Sequence, residues 1–188
     1  MRRLIVFNHQ TLDGYIGDLN GDMSWAHRDA SDAEWNAFVA DNARGGGGLI
    51  FGRTTYEMMA GFWPTPHASK LFPELAERMN SLSKVVFSRT LDKATWANTR
   101  LAKGDLASEV RKLKSASGED MAILGSGSIV SQLAREGLVD EFQVVVNPVV
   151  IGRGKTMFEG VEKKLGLELT KTRIFANGNV LLCYQPRV

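Results

Sequence analysis

One cysteine in 188 residues leaves no partner for an internal disulfide, and it removes any cysteine-rich zinc site. Histidine is nearly as scarce: His9, His27 and His67 lack the paired spacing of metal ligands, so no metal site is expected. Neither sign of charge dominates, since 23 Lys and Arg oppose 21 Asp and Glu for a formal net charge of +2. Nucleic-acid binding demands a basic stripe with aromatic residues on which bases stack, and the dispersed charge argues against it. No apolar run approaches the ~20 residues of a membrane span. The apolar start, residues 4–7, breaks at Asn8-His9-Gln10, too soon for a signal peptide, so a cytoplasmic protein is the default expectation.

What remains is an ordinary globular composition, 44% hydrophobic and 23% charged, at a length that suits a single domain covering residues 1–188. Apolar runs at 4–8, 49–51, 85–87, 121–124 and 141–146 read as strands. Between them lie helical patterns. Ser31 with Glu34 forms a capping box ahead of Trp35, Phe38 and Val39, and this helix runs into Gly45–Gly48, which reads as a flexible connector. A second helix follows Gly52, a third is expected over 69–80 after Pro64 and Pro66, Asp105 caps a fourth, and a fifth covers 129–135. Asn177-Gly178 between two apolar stretches, 167–175 and 180–185, signals a hairpin. The chain therefore reads as α/β, with a mixed sheet covered by helices and ending in an antiparallel pair. Cys183, in the last apolar run, reads as a buried free thiol.

Two segments share a layout of strand, glycine-bearing turn and helix. In Gly52-Arg53-Thr54-Thr55 the helix start offers unpaired N–H groups, a fixed positive charge and two hydroxyls. In Gly125-Ser126-Gly127-Ser128-Ile129 four small residues present another helix start. Each alone is as consistent with packing or capping as with binding, but the pair could hold a diphosphate. A third element, Ser88-Arg89-Thr90 at a strand end, could grip a phosphate monoester. The Rossmann fingerprint is a poor match, because position 130 is valine where its third glycine belongs, and no Gly-Lys-Ser/Thr of a Walker loop is present.

The order of these elements resembles the dihydrofolate reductase superfamily, most closely the branch similar to the reductase domain of bacterial riboflavin biosynthesis. The likeness covers nearly the whole chain. It rests on Leu12-Asp13-Gly14-Tyr15-Ile16-Gly17, Trp25, Gly52-Arg53-Thr54-Thr55-Tyr56-Glu57, residues 84–89, Gly125-Ser126-Gly127-Ser128, and the stretches 139–142 and 147–154. It implies a three-layer αβα fold with a mainly parallel central sheet, and NADPH as cofactor. By position, Gly52, Arg53, Thr54 and Thr55 would line the phosphates. Ser88 and Arg89, helped by Arg53, would meet the adenosine 2′-phosphate, which favours NADPH over NADH. Gly125, Ser126, Gly127, Ser128 and Ile129 would hold the diphosphate, and Ile16 and Gly17 the nicotinamide. The peptide opening that turn is often cis in the family between two glycines; here the pair is Gly125-Ser126. Residues 18–24 resemble the mobile active-site loop, which Trp25 would close.

Hydride transfer asks the protein to align reactants, exclude water and offer a proton. Three carboxylates are candidate proton donors: Asp32 and Glu34 at a helix start, where the helix dipole explains them equally well, and Asp13, which also suits an Asp-Gly turn. His9 could face the nicotinamide or the core, and the core is the simpler reading. The riboflavin-type resemblance implies a ribosylaminopyrimidine phosphate as substrate, with Lys70, Arg78 and Arg153 as candidate phosphate ligands. The deaminase signature that often accompanies that reductase is absent. A pterin reductase and a non-catalytic NADPH-binding protein remain alternatives. The apolar final strands lead to the expectation of a homodimer.

Overall fold

A computed structural model describes residues 1–26 and 31–187; His27 lies outside the described residues. The chain runs β1 (Leu4–Thr11), β2 (Tyr15–Gly17), a 3-10 turn (Ser24–Ala26), α1 (Ala33–Arg44), β3 (Gly48–Gly52), α2 (Arg53–Phe62), α3 (Pro66–Leu71) and α4 (Pro73–Ser81). It continues through β4 (Ser83–Phe87), β5 (Thr99–Ala102), α5 (Leu106–Ser115), β6 (Met121–Leu124) and α6 (Gly127–Arg135). The last elements are β7 (Glu141–Asn147), β8 (Lys155–Thr156), β9 (Leu167–Ile174) and β10 (Val180–Pro186). Eight strands form one sheet in the order β5-β4-β3-β6-β1-β7-β10-β9. The first six are parallel, and β10 and β9 are antiparallel additions at the end. This is the mixed, mainly parallel sheet expected, because strands buried on both faces read as continuous apolar runs. Among the described residues no helix is long and apolar enough to cross a membrane.

The two faces of the sheet are packed differently. Under α5 and α6 lies one continuous apolar layer that includes Leu4, Val6, Ile50, Ile123, Val110, Val130 and Leu133. The opposite layer is divided. Phe51, Tyr56, Met79, Val86 and Trp96 join α2 and α4 to β3 and β4, whereas Trp35, Val145, Phe175, Leu181 and Cys183 join α1 to β7 and β10. Leu124 packs on the first cluster and Phe7 on the second, although they are register partners on adjacent strands. A seam therefore runs over the β6–β1 junction. One end of it is closed where Arg78 donates to the carbonyls of Ala43 (3.2 Å) and Gly46 (2.6 Å), beside an Arg44–Glu74 ion pair at 3.0 Å.

Several local expectations need correction. Asp32, not Ser31, is the N-cap of α1, its carboxylate accepting from Trp35 N at 3.0 Å. Glu34 then bonds to Arg173 and Ala176 rather than back to the cap, so no capping box forms. The helix expected over 69–80 is two helices, because Pro66 and Pro73 each occupy a first helical position, where a missing N–H costs nothing. Gly48 belongs to β3, paired with Ser83 and Met121, and only Gly45–Gly47 connect. Helix α6 begins at Gly127, two residues early, and β2, β5 and β8 carried no legible apolar run. Cys183 is free and buried, as expected, and burial pushes its thiol pKa up.

Candidate cofactor and substrate site

Parallel strands deliver their following turns to one edge of the sheet, the usual place for a ligand crevice. Gly52 is level with Phe87, and Ile50 with Ile123, so Gly52, Ser88 and Gly125 emerge side by side. The two glycine-bearing turns touch. Ser126 Oγ accepts from Gly52 N at 2.8 Å, Ser126 N donates to Thr55 Oγ1 at 3.1 Å, and the two hydroxyl oxygens lie 3.0 Å apart. No peptide bond among the described residues is cis; the turn is made by two successive left-handed residues, Gly125 (φ 62°) and Ser126 (φ 55°). Gly127 is required for close approach, since a Cβ there would lie 2.8 Å from Ile16 Cδ1 and 3.0 Å from Thr156 O.

Both helix starts are left open. The N-caps Gly52 and Ser126 make no side-chain cap, and neither α2 nor α6 has an acid in its first turn. Unpaired amides, the positive end of the helix dipole and first turns without an acid together favour an anion. Arg53 is half exposed, with only Glu57 at 4.0 Å. On the neighbouring strand end Ser88 Oγ accepts from Thr90 N (3.2 Å) and Leu91 N (2.9 Å), and Arg89 is exposed. Asp105 is held below the usual carboxylate range, first by Ser108, with smaller contributions from Arg111 and Arg89. A groove of about 320 Å³ opens there, lined by Asp105, Leu106, Ala107, Gln132, Leu133, Arg135 and Glu136. Sequence reading passed over this groove; Gln132, one helical turn beyond Ser128, was the available signal.

At the other end of the crevice, pairing of β1 with β6 stops at Phe7–Leu124, but pairing with β7 continues to Thr11–Asn147. This leaves a ledge of β1 standing beyond the end of β6. Ile16 and Gly17, on β2, lie over the ledge against β8 and the Gly127 turn. In the following loop Asp18 gathers the amides of Asn20 and Asp22, both at 2.8 Å. Two buried polar atoms, Asn8 Oδ1 and Trp25 Nε1, have no hydrogen-bond partner among the described residues. Such atoms are costly unless something else satisfies them, which suits a polar ligand above Asn8, whose Nδ2 already bonds Gly125 O at 3.3 Å.

The three carboxylates are dispersed and engaged. Asp13 accepts from Gly152 N (2.7 Å) and Ile151 N (3.2 Å). Its carboxyl is held below the usual range, chiefly by the Thr11 hydroxyl and then by those amides. Asp32 caps α1 and accepts from Asn177 Nδ2 at 2.7 Å. Glu34 takes Ala176 N (3.0 Å) and Arg173 (3.2 Å), which keep it ionised, the amide contributing most. These bonds tie α1 to the β9–β10 hairpin. Of the candidate phosphate ligands, Arg78, on α4, sits at the closed end of the seam against the connection into β3, at the opposite edge of the sheet from the crevice. Lys70 and Arg153 are exposed, on α3 and after β7 respectively.

An αβα sandwich with a mainly parallel sheet, an open pair of helix starts and an arginine-tipped strand end on one sheet edge has the layout of the dihydrofolate reductase fold. Comparison with known proteins agrees on the fold. The family described as the RibD C-terminal domain matches residues 2–181, and the chain belongs to that family. The uncharacterized protein YyaP of Bacillus subtilis (strain 168) is 32% identical over 184 residues, covering 97% of this chain and 94% of YyaP. A Shewanella sp. PV-4 protein whose name links it to riboflavin biosynthesis superposes with a TM-score of 0.77 at 23% identity, covering 99% of both chains. Dihydrofolate reductase from Enterococcus faecalis, complexed with NADP(H), superposes with a TM-score of 0.64 at 15% identity, covering 99% of this chain and 97% of that one. At these identities the superpositions establish the fold.

Proposed function

We propose that this chain is an NADPH-dependent reductase that transfers hydride to a small heterocycle of the ribosylaminopyrimidine type, such as 5-amino-6-(5-phosphoribosylamino)uracil. The observation that carries the proposal is the contact between two uncapped, acid-free helix starts through Ser126 and Thr55, with Ser88 and Arg89 on the adjacent strand end. The residues present fit the cofactor. Amides at Arg53, Thr54, Gly127 and Ser128 suit a diphosphate; Arg53, Ser88 and Arg89 suit the 2′-phosphate; the Gln132 groove suits adenosine; and Ile16, Gly17 and the β1 ledge suit nicotinamide. Bound there, NADPH supplies the hydride. The chain contributes alignment, a phosphate grip, and exclusion of water by the Asp18 loop and Trp25.

Asp13, Asp32 and Glu34 remain the candidate proton donors in this reading. Each already accepts hydrogen bonds from backbone or side-chain donors, which favours keeping the non-catalytic NADPH-binding alternative as a second reading. Asp32→Asn and Glu34→Gln separate the two roles, because each amide keeps the side-chain shape and one acceptor oxygen while removing the acid. We also propose a homodimer through β9, the edge strand, where Leu169 is 50% and Ile174 77% exposed; β10 is interior. Sedimentation as a monomer at micromolar concentration would remove that part.

The decisive test is binding and oxidation of the cofactor. Arg89→Ala should weaken NADPH binding by about tenfold or more while leaving NADH within about twofold. NADPH oxidation should follow addition of 5-amino-6-(5-phosphoribosylamino)uracil, or of dihydrofolate if the pterin alternative holds. Equal losses for NADH and NADPH in the Arg89 variant, or no NADPH binding at millimolar concentration, would rule out the placement. Tight NADPH binding with no oxidation would favour the non-catalytic reading.

A further inference from the structure

Asn8 is the first residue of β1 beyond the Phe7–Leu124 pair, where the strand parts from β6 and becomes the ledge. Phe7 and His9 on either side of it turn toward α1, so Asn8 turns to the other face, at the start of α6. It is only 3% exposed. Its amide nitrogen meets two acceptors, Gly125 O at 3.3 Å and Met157 Sδ at 3.2 Å. Exchanging the two ends of the amide would set oxygen against oxygen, so the nitrogen belongs at this end and Oδ1 at the other. Oδ1 has no hydrogen-bond partner among the described residues. Asn80, by contrast, uses both ends: its Oδ1 accepts from Trp96 Nε1 at 2.7 Å and its Nδ2 donates to Trp63 O at 3.0 Å.

The surroundings limit what can complete Asn8. The Gly125–Gly127 turn borders it on one side. The β2–β8 ribbon, followed directly by Met157, comes down on the same turn: a Cβ at Gly127 would lie 2.8 Å from Ile16 Cδ1 and 3.7 Å from Met157 Cα. Asn8 therefore stands between the turn proposed for the diphosphate and the Ile16–Gly17 segment proposed for nicotinamide. A diphosphate has no hydrogen to give at neutral pH. A ribose hydroxyl both gives and takes. A carboxamide NH₂ only gives, which matches a lone acceptor. Met157 is a weak acceptor on a flexible side chain, so it is the part of the cover that yields at least cost.

Resting on the NADPH reading, we propose that Asn8 is a cofactor-binding residue whose Oδ1 accepts a hydrogen bond from the nicotinamide carboxamide while its Nδ2 holds the Gly125 turn. One side chain then spans the ring that carries the hydride and the turn that meets the phosphates. A pyridine nucleotide without the carboxamide NH₂ leaves a buried acceptor unpaired, so the site selects for that group.

The test needs no turnover and uses calorimetric titration of NADPH, of its 3-acetylpyridine analogue, in which a methyl replaces the carboxamide NH₂, and of adenosine 2′,5′-bisphosphate, which lacks the nicotinamide half. The unmodified protein should bind the analogue about tenfold more weakly than NADPH. Asn8→Leu, close in volume but without the acceptor, should lose about tenfold for NADPH and no longer distinguish it from the analogue. It should bind the bisphosphate within about twofold of the unmodified protein. Equal binding of NADPH and the analogue by the unmodified protein overturns the assignment, whether or not an Asn8 variant folds. Discrimination that persists in Asn8→Leu also overturns it, because the NH₂ is then read elsewhere. A matching loss for the bisphosphate overturns it as well, leaving Asn8 as a brace for the Gly125 turn. Each of these results leaves the NADPH reading standing; failure of the unmodified protein to bind NADPH removes that reading and the Asn8 contact with it.

Discussion

Helices α1, α3 and α5 begin differently from α2 and α6. At the first three, a side-chain oxygen takes a free amide: Asp32 from Trp35 N at 3.0 Å, Thr65 from Ala68 N at 3.2 Å and Asp105 from Ser108 N at 2.9 Å. At the other two, the N-cap side chain is absent or used elsewhere. Ser126 could have closed its own helix; its hydroxyl instead receives Gly52 N and ties the two turns together. The same chemistry that stabilises one set of helix ends is withheld from the other. Helix α4, uncapped at Phe72, carries Glu74 in its first turn; α2 and α6 have no acid there and share a single sheet edge. On the proposed reading, stability is served by the capped starts, and the ligand would meet the two open starts that carry no acid.

Adding charge to an open start should break the contrast most strongly. Ser128→Glu places an acid in the exposed first turn of α6, where the dipole should make the apo protein more stable by about 0.5 kcal/mol. The same carboxylate repels phosphate, so NADPH affinity, read by fluorescence titration, should fall by about tenfold or more. Stability and affinity moving together would mean that this end does not meet the anion. Removing a closed start should do the reverse. Asp32→Ala should cost about 1 kcal/mol and lower Tm by about 2–4 °C while leaving NADPH affinity unchanged.

The smallest effect is expected with acid. Glu34 and Asp13 ionise below their ordinary values of 4.5 and 3.8, so the unfolded chain binds protons at a higher pH than the folded one. Their contribution is complete above those ordinary values and is lost as pH falls through the lower folded ones. Tm should therefore be flat above about pH 5 and decline below it, and Glu34→Gln should shallow that decline. A Glu34→Gln variant whose acid slope matches the unmodified protein would show that the hairpin latch does not depend on charge.

The strands β1, β3, β4, β6 and β7 were legible because burial on both faces demands uninterrupted apolar residues. The half-exposed edge strand β5, Thr99–Ala102, makes no such demand and left no pattern. Adjacent Ser31 and Asp32 are both competent caps, and only the path of the chain selects Asp32. In the site, the glycine turns and the Ser88-Arg89 tip could be read locally because strand and helix alternate there. The Asn8–Gly125 contact spans 117 residues, and Asn8 and Trp25 reveal their unmet polar atoms only once buried. Arg78 shows the converse: a basic residue plausible for phosphate is committed to carbonyls at the far end of the seam, because the chain between α4 and β4 turns there. Lys84 is another cation hidden by folding. Only 1% exposed, it donates to the carbonyls of Met79, Asn80 and Leu82, and burial draws its pKa down to about 8.

The divided apolar layer gives the molecule interchangeable parts. Residues 53–82 hold together around Tyr56, Met79 and Trp96, while α1 is bound to the hairpin through Asn177 and Arg173. Each wall of the seam packs on the sheet through its own cluster, on the face opposite the layer beneath α5 and α6. On the proposed reading, changes in these walls beyond the Gly52–Thr55 turn would reshape what enters the seam and leave the opposite face of the sheet as it is.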